Sequence, residues 1–308
     1  MKRDLLSIAD VSTDELHALL ATAARLKAER LAGVHAAPLA HKSLALLFLK
    51  PSLRTRLSFE LAMVQLGGVS RFIAPTEVGL GTRESVPDVA RTLGCYVDGV
   101  VARVFAQATA DELAAHCPVP VINGLSDDEH PCQIVADLLT VRERFGRLAG
   151  LTVAYVGDSN NVTASLLLAA PRLGVHVRVA SPAGYEPRAD LLARADTDAR
   201  EGARIEVVRD PAAAVANADA VYADSWYSMG QEHEATKRRA IFRDYQVNEA
   251  LLARAPARAV AMHCLPAHRG DEITDGVLDG PQSIAFQQAE NRLHAQKAIL
   301  LLLLGGAA

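Results

Sequence analysis

The sequence predicts an α/β protein made of two doubly wound parallel-sheet domains, with its active site in the cleft between them. Three observations carry this. Short apolar strands alternate with amphipathic helices along the chain. The strands are near-continuous apolar runs, as parallel sheets covered on both faces require. The unusual polar clusters, 52–56, Arg103, 130–133, 158–161, 224–229 and 263–266, fall just after strand ends, where open α/β sheets bind ligands. At 308 residues, 50% hydrophobic and 22% charged, the chain has enough material for two domains.

The elements follow in order. Ser12-Thr13-Asp14-Glu15 fits a capping box, and Leu16, Leu19, Leu20 and Leu26 continue at helical spacing, so the chain opens with a helix. Strands are expected over 43–49, 69–74, 99–104 and 119–123 in the first half. In the second half they are expected over 152–156, 176–181, 204–208, 220–223, 259–263 and 283–286. A helix over 137–145 leads out of the first sheet, and Arg147-Leu148-Ala149-Gly150 precedes the second. Residues 1–145 are therefore read as the first domain, 146–288 as the second, and 289–308 as a C-terminal helix able to return to the first. The apolar run Ala298 to Leu304 is far short of the roughly 20 residues that span a bilayer and reads as part of a buried helix.

A net charge of −4 leaves no electrostatic footprint for nucleic acid or an anionic membrane. Any anionic ligand needs a local cluster of positive groups. Cys95, Cys117, Cys132 and Cys264 form no CxxC pair, so free thiols in a reducing compartment are expected. Asp4 and Asp10 interrupt any apolar stretch near the start, which argues against a secretory signal and for the cytoplasm. The sequon Asn161-Val162-Thr163 is then without consequence.

The sharpest local pattern is Lys50-Pro51-Ser52-Leu53-Arg54-Thr55-Arg56. A strand ends, Pro51 stops the ladder, and Ser52 caps a helix continuing through Leu57, Leu61 and Val64. Exposed N–H groups and the positive dipole end suit a phosphate, and Arg54 and Arg56 add charge-assisted donors. Solvated arginines in a capped first turn are the plain alternative, but positive charge there opposes the dipole. Arg103 closes an apolar strand, where an edge arginine extending its head to water is equally natural. His130 alone reads as a cap, and Arg292 alone as a surface residue at a helix start. Cys264 in isolation is a small apolar filler. A metal set of His263, Cys264 and His268 lacks a fourth ligand and the usual spacing, so no metal is expected.

Two of these segments together carry a resemblance. Lys50 to Arg56 is similar to the Ser-Thr-Arg-Thr-Arg loop of the aspartate/ornithine carbamoyltransferase superfamily, and His130-Pro131-Cys132-Gln133 resembles its His-Pro-x-Gln signature. Asp224-Ser225-Trp226-Tyr227-Ser228-Met229-Gly230 and His263-Cys264-Leu265-Pro266 resemble the motifs of members that use ornithine rather than aspartate. The likeness extends from near the first helix to Ala289-Glu290-Asn291-Arg292.

The resemblance implies carbamoyl transfer from carbamoyl phosphate to the δ-amine of L-ornithine, giving citrulline and phosphate, as in arginine metabolism. The alternative acceptors are putrescine and an N-acylated ornithine. It implies that Ser52, Leu53 through its backbone, Arg54, Thr55 and Arg292 hold the phosphate side. Arg103 and His130 would contact the carbonyl oxygen or phosphate, and Gln133 the carbamoyl amide. Asp224, Ser228, Met229 and Asn161 would hold ornithine. Cys264 would line the ornithine side chain, while its backbone and that of Leu265 approach the carbamoyl group. The catalytic set is Arg103, His130 and Cys264. The first domain would bind carbamoyl phosphate and the second ornithine. No cofactor, nucleic acid or membrane is implied, and the assembly is a homotrimer or a stack of trimers.

Two positions depart from the family pattern. Leu53 replaces a threonine, keeping the backbone donor but not the hydroxyl. Gly79 falls where many members place glutamine or histidine to reach a neighbouring subunit, and Arg83 is the candidate substitute. A nicotinamide dehydrogenase is the rival class, because residues 153–161 open a doubly wound half. They lack G-x-G-x-x-G, with Asp158 and Asn161 crowding the place where pyrophosphate must approach. A non-catalytic subunit on the same fold is the other rival, opposed by the intact set of polar groups.

Overall fold

The structure is a computed structural model that describes residues 2–228 and 230–305. It divides into two compact units, Met1–Leu139 with Asn291–Ala308, and Thr140–Glu290.

The first unit opens with α1 (Thr13–Leu31). Its N-cap Ser12 accepts from the Glu15 backbone N–H, and the Glu15 carboxylate accepts from that of Ser12 at 2.7 Å. Then come β1 (Ser43–Phe48), α2 (Leu53–Gln65), β2 (Val69–Ile73), the single turn α3 (Pro75–Val78), α4 (Val86–Gly94), β3 (Gly99–Arg103), α5 (Gln107–His116), β4 (Val121–Leu125) and α6 (Pro131–Phe145). The four strands pair in parallel in the order β2-β1-β3-β4. Strands β1 and β3 are interior, and β3 is buried along its whole length. The β4 edge is covered by Leu5, whose N–H donates to Val121 O at 2.9 Å and whose carbonyl accepts from Asn123 N at 2.7 Å.

The second unit contains β5 (Thr152–Val156), α7 (Asn161–Ala169), β6 (His176–Ala180), α8 (Ala189–Asp198), β7 (Ile205–Val208), α9 (Pro211–Val215), β8 (Ala220–Ala223), α10 (Ala235–Phe242), α11 (Glu249–Leu252), β9 (Val260–His263) and α12 (Asp275–Leu278). Helix α13 (Ala285–Leu304) follows, and its residues from Asn291 onward group with the first unit. The sheet is again parallel, in the order β7-β6-β5-β8-β9.

The strand orders fix where ligands can bind. The strand order reverses at β1, with β2 on one side and β3 on the other, and at β5, with β6 and β7 on one side and β8 and β9 on the other, so ligand crevices are expected at the carboxyl ends of β1/β3 and β5/β8. The loops emptying into these crevices carry Ser52, Arg103, Asn160 and Asp224.

The expected tenth strand, 283–286, does not form. Ser283 makes an isolated parallel bridge to Ala261, and the Ile284 N–H donates to Ala261 O at 2.9 Å. Helix α13 then begins at Ala285, turning Phe286 outward, so the short apolar run belongs to a helix start. Helix α6 likewise begins earlier than expected, with Pro131 at its first position, where the missing N–H costs nothing. No helix among the described residues is long and apolar enough to cross a membrane.

Leu46, fully buried on interior strand β1, tests the first unit's core. Leu46→Ala is expected to lower stability by about 2–5 kcal/mol, read from urea denaturation; a loss under about 1 kcal/mol would show a core that closes around the missing atoms.

Candidate active site

In the first unit the β1–α2 turn builds an anion-binding geometry. Ser52 is the N-cap of α2, its hydroxyl accepting from Thr55 N at 3.2 Å. The helix therefore starts cleanly and directs its first N–H groups out of the turn. Leu53 is exposed and Thr55 fully buried. The Thr55 hydroxyl accepts from Arg292 Nη2 at 2.7 Å, which brings α13 to the start of α2. Arg56 points elsewhere. Its guanidinium stacks 3.8 Å above the Phe72 ring, and its Nε donates to Glu60 at 2.9 Å. The expectation that Arg56 adds a phosphate donor is therefore corrected: its face lies on Phe72 and its Nε on Glu60.

Arg103, His130, Gln133 and Arg292 are all buried. Burial, followed by the nearby charges of Arg292 and Arg103, holds the His130 pKa well below its ordinary value. His130 is thus neutral at physiological pH, with one ring N–H to donate. Gln133 Nε2 donates to Asp137 at 2.8 Å. That leaves Gln133 Oε1 as a buried acceptor with no partner among the described residues.

Lys50 precedes the Ser52 cap, and sequence alone assigns it no role. It is buried, donates to Asp127 at 2.5 Å and lies 4.3 Å above the Phe105 ring. It ties the loops after β1, β3 and β4 together. Only its place beside Ser52 in sequence hinted at this. Gly79 ends α3 in the left-handed region at φ 60°, and a Cβ there would come within 2.8 Å of Arg83 Cβ. Glycine is therefore a local backbone requirement at this departure from the family pattern. The Arg83 guanidinium donates to Glu77 O at 3.2 Å within its own loop.

In the second unit, Asn161 is the first residue of α7 and Asp224 follows β8. Asp224 is buried, with Oδ1 accepting from the Cys264 thiol at 2.9 Å and Oδ2 from Asn160 Nδ2 at 2.6 Å. Ser228 is half-buried, its N–H donating to Gln231 at 3.0 Å, and Met229 lies outside the described residues. The start of the loop after β8 is pinned by Arg238, which donates to Asp158 Oδ2 at 2.7 Å and to Trp226 O at 2.9 Å. Burial pushes Asp158 up to about 6 despite that guanidinium. Tyr227 stacks on His268 with ring centroids 4.6 Å apart and donates its hydroxyl to Asp271 at 3.1 Å.

Cys264 and Leu265 follow β9. Leu265 has φ 58°, unusual for a residue with a branched side chain, and its N–H donates to His263 Nδ1 at 2.8 Å. That bond makes Nδ1 an acceptor, so the proton sits on Nε2, facing Glu272 at 3.2 Å. Asp224, His263 and Cys264 bring potential ligand atoms within 4.8 Å of one another, a trio different from the weak His263, Cys264, His268 set suggested by the sequence. A metal there would have to displace hydrogen bonds that already engage the carboxylate, the imidazole and the thiol.

Comparison with known proteins matches each half of the chain to a known domain. The aspartate/ornithine carbamoyltransferase carbamoyl-P binding domain matches residues 3–143, and the Asp/Orn binding domain of that family matches residues 149–303. The chain belongs to the aspartate/ornithine carbamoyltransferase family. Several relatives of high identity are ornithine carbamoyltransferases. It is 52% identical over 305 residues to an ornithine carbamoyltransferase of Gloeobacter violaceus, covering 98% of this chain and 96% of the relative. It is 48% identical to one from Thermococcus kodakarensis, covering 99% and 97%. Among solved structures, ornithine carbamoyltransferase from Pyrococcus furiosus superposes with a TM-score of 0.96 at 47% identity, covering 100% of this chain and 98% of that one.

His130 supplies a pH test. Its folded pKa is depressed, so below about 6.5 the unfolded chain takes up a proton that the native site refuses. This contribution is fully present above about pH 6.5 and is lost as pH falls, at about 1.4 kcal/mol per unit. His130→Asn is expected to show a shallower loss of stability than the parent between pH 7.5 and 5.5, by urea denaturation (roughly this range brackets the ordinary histidine pKa). Parallel curves would contradict a neutral buried imidazole.

Proposed function

We propose that this chain transfers the carbamoyl group of carbamoyl phosphate to the δ-amine of L-ornithine, releasing citrulline and phosphate. The observation that carries the reading is the bond from Arg292 to Thr55 in the first turn of α2, with neutral His130 buried under the charges of Arg292 and Arg103. The set matches carbamoyl phosphate group by group. Ser52, the backbone of Leu53, Arg54, Thr55 and Arg292 take the phosphate. Arg103 and the His130 N–H take the carbonyl oxygen, and Gln133 Oε1 accepts from the carbamoyl NH2.

On the acceptor side, Asp224 receives the amino-acid ammonium, with Ser228 and Met229 beside it, and Asn161 donates to the carboxylate. Cys264 lines the side chain, and its backbone with that of Leu265 approaches the carbamoyl group. The δ-amine must attack in its neutral form, and its ordinary pKa is that of a lysine, so desolvation has to push it down. Its lone pair forms the new C–N bond, negative charge grows on the carbonyl oxygen, and the C–O bond to phosphate breaks. Fixed donors on that oxygen stabilise the transition state by a few kcal/mol each. The amine proton leaves with the departing phosphate as its nearest basic acceptor.

A homotrimer, or a stack of trimers, is part of the reading. Leu53, Leu57, Leu61 and Val64 stand exposed along one face of α2, an apolar stripe suited to a second copy of the chain. The setting is the cytoplasm, in keeping with four cysteines that form no disulfide among the described residues.

Arg54→Ala is expected to lower kcat/KM for citrulline formation at least about a hundredfold with an unchanged melting temperature; near-normal turnover would refute the phosphate role. Asp224→Ala should raise the KM for ornithine far more than that for carbamoyl phosphate, and equal losses would count against the assignment. Replacing Leu57 and Leu61 together with glutamate should shift the sedimentation profile to monomer, and a persisting trimer would remove α2 from the interface.

A further inference from the structure

We infer that Asn160 is a positioning residue that orients the Asp224 carboxylate for the substrate ammonium, an inference that rests on the ornithine reading of Asp224. Sequence resemblance singles out its neighbour Asn161. The geometry gives Asn160 a different task.

Asn160 is the N-cap of α7, and its Oδ1 accepts from Val162 N at 2.9 Å and Thr163 N at 3.3 Å. The Tyr155 hydroxyl donates to the same oxygen at 3.3 Å. Three donors on one atom leave the amide a single orientation, with its NH2 group turned away from the helix. A surface cap would give that group to water. Here Nδ2 donates to Asp224 Oδ2 at 2.6 Å.

Strand β8 lies between β5 and β9, so Asp224 at its end is gripped from both neighbours. Asn160 comes from the loop after β5, and Cys264, donating to Oδ1 at 2.9 Å, from the loop after β9. A carboxylate offers about four acceptor positions, so these two bonds fix its plane and leave the others for an incoming ammonium. The grip is anchored below. Tyr155 is fully buried on β5, with its ring 5.7 Å from that of Tyr222, its register partner on β8.

Capping and positioning are separable by substitution. Asn160→Ser and Asn160→Asp each keep a side-chain cap and lose the amide N–H, whereas Asn160→Ala loses both. Steady-state kinetics and melting temperature would be measured on these variants, on Asp224→Ala, and on the Asn160→Ser, Asp224→Ala double variant. Asn160→Ser and Asn160→Asp are expected to raise the KM for ornithine about tenfold or more. The KM for carbamoyl phosphate and the melting temperature should stay near the parent values, and Asn160→Ser should add nothing further in the Asp224→Ala background. A parental ornithine KM in Asn160→Ser, or a rise that tracks the melting temperature down to Asn160→Ala, would reduce Asn160 to a cap. An unchanged ornithine KM in Asp224→Ala would instead overturn the ornithine reading itself; a raised one beside a normal Asn160→Ser would sink only the present inference.

Discussion

Burying cationic and hydrogen-bonding side chains at the carboxyl ends of parallel strands is the constraint on which the rest of the first unit depends. Arg103 and Arg292 are buried with His130, and the imidazole responds by giving up its proton. Taking charge out of water is expensive unless something compensates it. A phosphate dianion at the start of α2 would meet the two guanidinium charges, the helix dipole and the capped turn together. The neutral imidazole adds a donor without adding a third buried charge.

The second unit solves the opposite problem, keeping a buried carboxylate in one orientation. Asp224 is held by an amide on one oxygen and a thiol on the other. The loop that follows it is pinned through Arg238, which bridges Asp158 and the Trp226 carbonyl. Asp158, pushed up to about 6 by burial, remains ionised and paired at neutral pH. His263 does similar work on the neighbouring loop, accepting from the Leu265 N–H that follows it and facing the fully buried Glu272. In both cases an ordinary backbone device, a helix cap or a tight turn, is made to aim a functional group.

Much of this could be read from residue order because it is local. The apolar strands, the Ser12-to-Glu15 capping box and the Ser52 cap are all encoded within a few residues. The polar clusters after the strands were legible because a parallel sheet puts its connections at strand ends. What escaped depends on partners distant in sequence. Arg56 sits in the most suggestive loop, yet Phe72 and Glu60 engage it. Lys50 meets Asp127 only once β1 and β4 lie in one sheet. Residue order singles out Asn161, and nothing in it says that the Asn160 amide is the one facing Asp224. The segment 283–286 was read as a strand because Ile284, Ala285 and Phe286 are apolar. Its single bridge to Ala261 is all the strand character it has before α13 begins.

The most direct measurement is product formation by the purified chain given carbamoyl phosphate and, in separate reactions, ornithine, putrescine, acetylornithine or aspartate. The account predicts rapid citrulline formation with ornithine and little product with the other three. Preferred carbamoylation of aspartate, or no turnover with ornithine by folded protein, would contradict it.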